Sequence, residues 1–256
     1  DYAQMNTVLD GKTSPASLAL TPGEVHEFYE IMRSGRRITT TQVPVEEFNR
    51  VFTKYIEAGQ DIVYIACSSK QSGSVNTAHV LAEKLMKEYP ERKIFCIDSL
   101  NASMGEGMLA IEAARLAEKD MSAEEINEKI TAMRKIVNEY CTVHSLDALR
   151  RAGRVKATSA FFGNLMGVKP IIIADAVGAQ SAFKKVKGRQ NSYKEIVSLL
   201  KESIIDPENQ TVYVLHADCT AEEVDQLKGL ILSEIPCKEI YVCYIGPIIG
   251  ASIGPD

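Results

Sequence analysis

Asp61-Ile62-Val63-Tyr64-Ile65-Ala66-Cys67, followed at once by Ser68-Ser69-Lys70-Gln71-Ser72-Gly73-Ser74, decides the fold class. A short, nearly continuous apolar run suits a strand covered on both faces, as in a parallel sheet. The serine-rich turn after it opens a helix that runs to about Tyr89. Lys93 to Ile97 repeats the strand signal, with Asp98-Ser99 at its carboxyl end and a helix from about Ala102 to Lys119. The capping box Ser122-Ala123-Glu124-Glu125 starts a further helix to about Asn138, and Tyr140 to His144 reads as a third strand. This alternation predicts an α/β fold with a doubly wound, mostly parallel sheet.

Upstream, residues 1–20 read as irregular or as strand and turn. Thr21-Pro22-Gly23-Glu24 is a capping box with proline in the first helical turn, and its helix should reach Ser34. Thr39 to Gln42 reads as a polar loop. Pro44 opens a helix with Phe48, Val51, Phe52 and Tyr55 on one face, ending near Gly59. Downstream, the pattern changes. A short helix ends at Gly153-Arg154, and Val168 to Ala174 and Ala179 to Lys185 flank a hairpin turn at Asp175 to Gly178. Helices at about 192–203 and 221–234 then alternate with strands at 211–215 and 239–244. The expected organisation is an N-terminal lobe of residues 1–147 and a smaller C-terminal α/β lobe of residues 148–256 with a mixed sheet.

The 256 residues are 45% hydrophobic and 25% charged, with a net charge of -5. That balance disfavours nonspecific nucleic-acid binding, which needs a basic surface. No apolar run approaches the roughly 20 residues of a membrane span, so stable insertion is not expected. Asp1-Tyr2-Ala3-Gln4 shows no leader pattern, and the six cysteines are scattered without a CxxC, which points to reduced thiols in the cytoplasm.

Ligands of open α/β sheets sit beyond the carboxyl ends of the strands. There the Ser68–Ser74 turn combines hydroxyl donors, helix N–H groups and a glycine, a combination suited to an anion. Simple N-capping needs only one serine. No GxxxxGK[ST] or GxGxxG supports a nucleotide, and no HxxxH or HExxH supports a metal, so no cofactor is expected. A different small anion at the same turn and Ser72 as a hydrolase nucleophile are the alternative readings. The sequence neighbours of Ser72 do not form GxSxG, and His79 is roughly 10 Å along the same helix. The basic stretches around Arg154 and Arg189 read either as solvated faces or as a docking patch for an acidic or phosphorylated partner.

Together these segments resemble the DegV family of bacterial fatty-acid-binding proteins. A T-S-Q-P-like segment appears as Thr40-Thr41-Gln42 with Pro44, and S-S-x-x-S-G-T as Ser68 to Ser74. I-D-S appears as Ile97-Asp98-Ser99 with Gly105 and Gly107, and L-x-x-L-x-x-G-G-R-I as Leu146 to Val155. K-P-I-L appears as Lys169 to Ile172, an R-G-R-like stretch as Lys187-Gly188-Arg189, and the closing G-A-H-x-G-P-G as Gly250 to Asp256. The ordered set covers nearly the whole chain.

The resemblance implies two lobes with a long-chain fatty acid buried between them. Its carboxylate would be held by Thr40 and Ser72 in a site of Thr40, Thr41, Ser68, Ser72, Gly73 and Ser252. It also implies a non-catalytic carrier that presents the acid to a separate fatty acid kinase, for which the basic stretches at Arg154 and Arg189 offer a docking patch if they are not simply solvated. Phe161, Phe162, Leu165 and Met166 are candidate tunnel residues. Ser252 stands where the family has a histidine, and Asp256 where it has glycine. The family's first strand, with its Asp-Ser pair, has no counterpart near Asp1, so further residues are expected before it.

Overall fold

The structure is a computed structural model that describes residues 1–144, 146–156, 161 and 167–255. Phe162, Leu165, Met166 and Asp256 lie outside the described residues. Strand β1 (Asn6–Leu9) turns at Asp10-Gly11, both at positive φ, into antiparallel β2 (Lys12–Pro15). Asp-Gly is the pair that this tight hairpin turn favours. Helix α1 (Pro22–Arg33) starts at the expected capping box, with Thr21 accepting from the Glu24 N–H.

The segment read as a polar loop is instead strand β3 (Ile38–Thr41), antiparallel to β1 with Thr7 opposite Thr40. Three β-branched threonines suit a pleated strand, and their partner lies some thirty residues upstream, where no local pattern reveals it.

Helix α2 (Val45–Glu57) buries Phe48, Val51, Phe52 and Ile56. Strand β4 (Ile62–Ala66), helix α3 (Ser74–Glu88), strand β5 (Ile94–Asp98) and helix α4 (Ser103–Ala117) follow, with β4 and β5 parallel. Tyr64, Ile62 and Cys96 pack toward α2 and α3, while Val63, Ile65 and Ile97 pack toward α4 and α5. The pair is thus covered on both faces, which is why its sequence is apolar almost throughout.

Helix α5 (Ala123–Met133) stops short of Asn138. Val137 still packs on the core that Ile126 and Ile130 fill, but as part of a non-helical segment in which Ile136 is exposed. Strand β6 (Tyr140–Thr142) does not extend the parallel pair. It pairs antiparallel with β8 (Val168–Ala174), after helix α6 (Leu146–Ala152) and short strand β7 (Val155–Lys156). The expected hairpin joins β8 to β9 (Gln180–Lys187), and β7 runs parallel to β9, completing a mixed sheet of order β6-β8-β9-β7.

Helix α7 (Arg189–Ser203), strand β10 (Thr211–His216), helix α8 (Ala221–Glu234), parallel strand β11 (Glu239–Tyr244) and helix α9 (Pro247–Ile253) close the chain. The fold is mixed α/β; its described residues form two parallel pairs, one three-stranded antiparallel sheet of order β2-β1-β3 and one mixed sheet. Among the described residues, no helix is long and apolar enough to cross a membrane.

Candidate functional site

A cavity of about 1640 Å³ reaches from the ends of β3 and β4 past α4 to α7 and β10. Helix α9 packs against β3, β1, α1 and α6. Its Gly250 allows that packing: a Cβ there would lie 2.4 Å from the Tyr29 hydroxyl oxygen, which donates to the Ile245 carbonyl at 2.9 Å. This placement puts Ser252 on the cavity wall together with Thr40, Thr41, Ser72 and Gly73.

The four serines of the turn divide into different tasks. Ser68 is fully buried and does not line the cavity. Its Oγ donates to the Gly178 carbonyl at 2.6 Å and accepts from the Lys70 N–H at 3.2 Å. Its assignment as a ligand residue is therefore corrected: the hydroxyl fastens the turn to the β8–β9 hairpin. The Ser68 N–H donates to the Asn101 carbonyl, the Ser69 N–H to Asp98 Oδ1, and the Gln71 and Ser72 N–H groups to the Ser68 carbonyl. The turn consumes most of the donors that its sequence offered to an anion. Among the described residues the Gly73 N–H has no partner.

Ser74 Oγ accepts from the Val43 N–H at 3.2 Å and lies 2.9 Å from Ser72 Oγ, which also accepts from the Ser74 N–H. With the Ser74 hydroxyl donating to Ser72, the Ser72 proton is left to point into the cavity. The Gln42 side chain packs over Gly73, where a Cβ would lie 2.4 Å from Gln42 Oε1 and would displace that side chain. Thr41 donates to the Gln42 carbonyl at 3.1 Å, so Thr40, half-buried and opposite Thr7, is the freer hydroxyl of that strand.

Arg154 is exposed, whereas Arg189 turns inward. Arg189 Nε bonds the Tyr193 hydroxyl at 2.9 Å and Glu223 Oε1 at 3.1 Å, and its Nη1 is buried without a partner on the cavity side of α7. Arg189 is thus not part of the surface patch in which its sequence neighbours placed it. The exposed lysines just before it remain there, and Lys184 pairs with Glu195 at 2.7 Å.

Sequence reasoning missed several cavity residues. Gln71 Nε2 and His216 Nδ1 are buried and unpartnered, and burial lowers the His216 pKa, favouring a neutral ring. Two carboxyl groups also line the cavity. Burial and the neighbouring Glu139 push Glu106 up to about 8, and burial pushes Glu139 up to about 7. Glu106 was visible only as the residue between Gly105 and Gly107. Among the described residues, no histidine or carboxylate hydrogen-bonds Ser72, and no cluster of ligating side chains would hold a metal.

Comparison with known proteins follows this geometry. The model of an uncharacterised protein family, DegV family COG1307, matches residues 10–256. A DegV domain-containing protein of Clostridium perfringens is 34% identical over 227 residues, 89% of this chain and 78% of its own. The crystal structure of DegV, a fatty acid binding protein from Bacillus subtilis, is 26% identical, with a TM-score of 0.81 over 98% of this chain and 87% of that one. A structure described as fatty acid binding of a DegV family protein from Thermus thermophilus is 25% identical, with a TM-score of 0.83 over 99% and 88%.

Proposed function

The chain belongs to the DegV family, and on that premise we propose that it binds a long-chain fatty acid in the cavity between its two lobes, divided near residue 147. The observation that carries the reading is a large cavity with the hydroxyls of Ser72, Thr40 and Ser252 on its wall. A carboxylate taken from water needs several donors to offset its desolvation. Ser72, Thr40, Ser252 and the Gly73 N–H supply them. Each buried CH₂ of the acyl chain adds about 0.8 kcal/mol, so the tail binds without further polar contacts.

The protein acts as a cytoplasmic carrier, not a catalyst, and presents the acid to a separate fatty acid kinase through the exposed face around Arg154. Ser252 donates a hydrogen bond where the family has histidine and carries no charge.

Displacement of a fluorescent fatty acid by oleate tests the head-group assignment. Ser72→Ala is expected to weaken oleate binding by about 1.5–3 kcal/mol, the worth of a hydrogen bond to a charged group. Ser68→Ala is expected to lower stability by about 1–3 kcal/mol, because it leaves the Gly178 carbonyl unpaired, while keeping oleate affinity. Equal affinities for wild type and Ser72→Ala would reject the assignment.

A further inference from the structure

Two carboxyl groups in the cavity wall have no part in holding the head group. Glu106, in the first turn of α4, lies beside Cys67, the residue that leads into the serine turn. Glu139, just before β6, accepts the Ala102 N–H at 3.1 and 3.2 Å through its two oxygens and Gln180 Nε2 at 3.2 Å. Gly105 makes room for it, since a Cβ there would lie 2.3 Å from Glu139 Oε1. Glu139 thus sits against the residue next to Glu106, and its charge disfavours ionisation of Glu106.

The arginines nearby are engaged elsewhere and pair with neither carboxyl. Tyr64 of β4, Cys67 after it, Asp98 of β5 and Cys141 of β6 are neutral or acidic. Arg134, after α5, donates to the Asp98 carbonyl at 2.6 Å, and Arg189 of α7 is paired with Glu223. Neither Glu106 nor Glu139 has an ion-pair partner among the described residues. Two buried carboxylates in one enclosure, neither in an ion pair, are costly to ionise together. A bound fatty-acid anion would be a third.

We propose that Glu106 and Glu139 form a proton-holding pair, and that a carboxylate ligand enters this cavity together with a proton taken up by the pair. The inference rests on the fatty-acid reading. One anion and one solvent proton enter. The proton forms an O–H bond on Glu106 or Glu139, and no other bond forms or breaks. Near pH 8 the free pair is partly ionised and can accept that proton. Well below pH 7 it is already protonated, and uptake ceases.

Calorimetric titration of the wild-type protein with oleate at pH 8, in two buffers of different ionisation heat, counts the protons directly. The expected result is uptake approaching one proton per oleate, and an affinity that falls about tenfold from pH 7 to pH 9. In the Glu106→Gln, Glu139→Gln variant the uptake is expected to vanish and the pH dependence to flatten to less than about twofold. Oleate binding by the wild type without proton uptake at pH 8 would overturn the coupling alone. Absence of oleate binding at every pH would overturn the fatty-acid reading and the coupling with it. If the double variant does not fold, the two-buffer result on the wild type still decides.

Discussion

The turn after β4 and the turn after β10 both leave a parallel strand, both open a helix and both border the cavity, yet they hold the molecule together by different means. After β4, hydrogen bonds without an ion pair do the work: the Ser68 hydroxyl reaches Gly178, the Ser68 and Ser69 N–H groups reach the Asn101 carbonyl and the Asp98 carboxyl, and Ser72 stays on the cavity wall beside Ser74. After β10, Asp218 sits at positive φ and uses its charge, accepting from Arg33 Nη1 at 2.6 Å and lying 2.9 Å from His26 Nδ1 on α1. Among the described residues the first turn forms no ion pair, and it presents a hydroxyl to the cavity. The second is a charged latch between segments nearly two hundred residues apart.

Breaking the first turn should have the larger effect. Gly178 has φ +80, and a Cβ there would lie 2.4 Å from Ser68 Oγ and 2.8 Å from the Leu100 backbone. Gly178→Ala is expected to cost about 2–4 kcal/mol, combining left-handed strain with displacement of Ser68. Chemical denaturation measures this, and a cost below about 0.5 kcal/mol would remove Ser68 as the anchor of the turn.

The latch should respond less, and with a pH signature. Partial burial opposes ionisation of Asp218, but hydrogen bonds and charge from Arg33 and His26 outweigh it and hold the carboxyl below its usual range. A depressed carboxyl contributes stability above its ordinary pKa and loses it as pH falls through the depressed value. Asp218→Asn is therefore expected to lower stability by about 1–2 kcal/mol at pH 7, with the gap closing in acid. Denaturation curves at pH 7 and in acid test this, and a gap that stays constant would mean that charge is not what holds the latch.

The same comparison explains what was legible in the sequence. The strand β4, its turn and the capping boxes at Thr21 and Ser122 were readable because each signal is local. Strand β3 was not, because its partner β1 is distant and threonines also populate loops. The pairing of β6 was hidden for the same reason, since an apolar strand does not announce whether its neighbour is β5 or β8. Within the site, the spacing of the serines showed that the turn was polar, but not that Ser68 was committed to a carbonyl 110 residues away. Arg189 read as one more basic surface residue until Tyr193 and Glu223 turned it inward. The Glu106–Glu139 pair depends on a contact across 33 residues that no motif carries.

Native mass spectrometry of the delipidated protein exposed to oleate tests the central claim most directly. The account predicts one oleate adduct per wild-type chain, strongly reduced in a Thr40→Val, Ser72→Ala variant that remains folded. No adduct on the wild type, or an undiminished adduct on that variant, would contradict it.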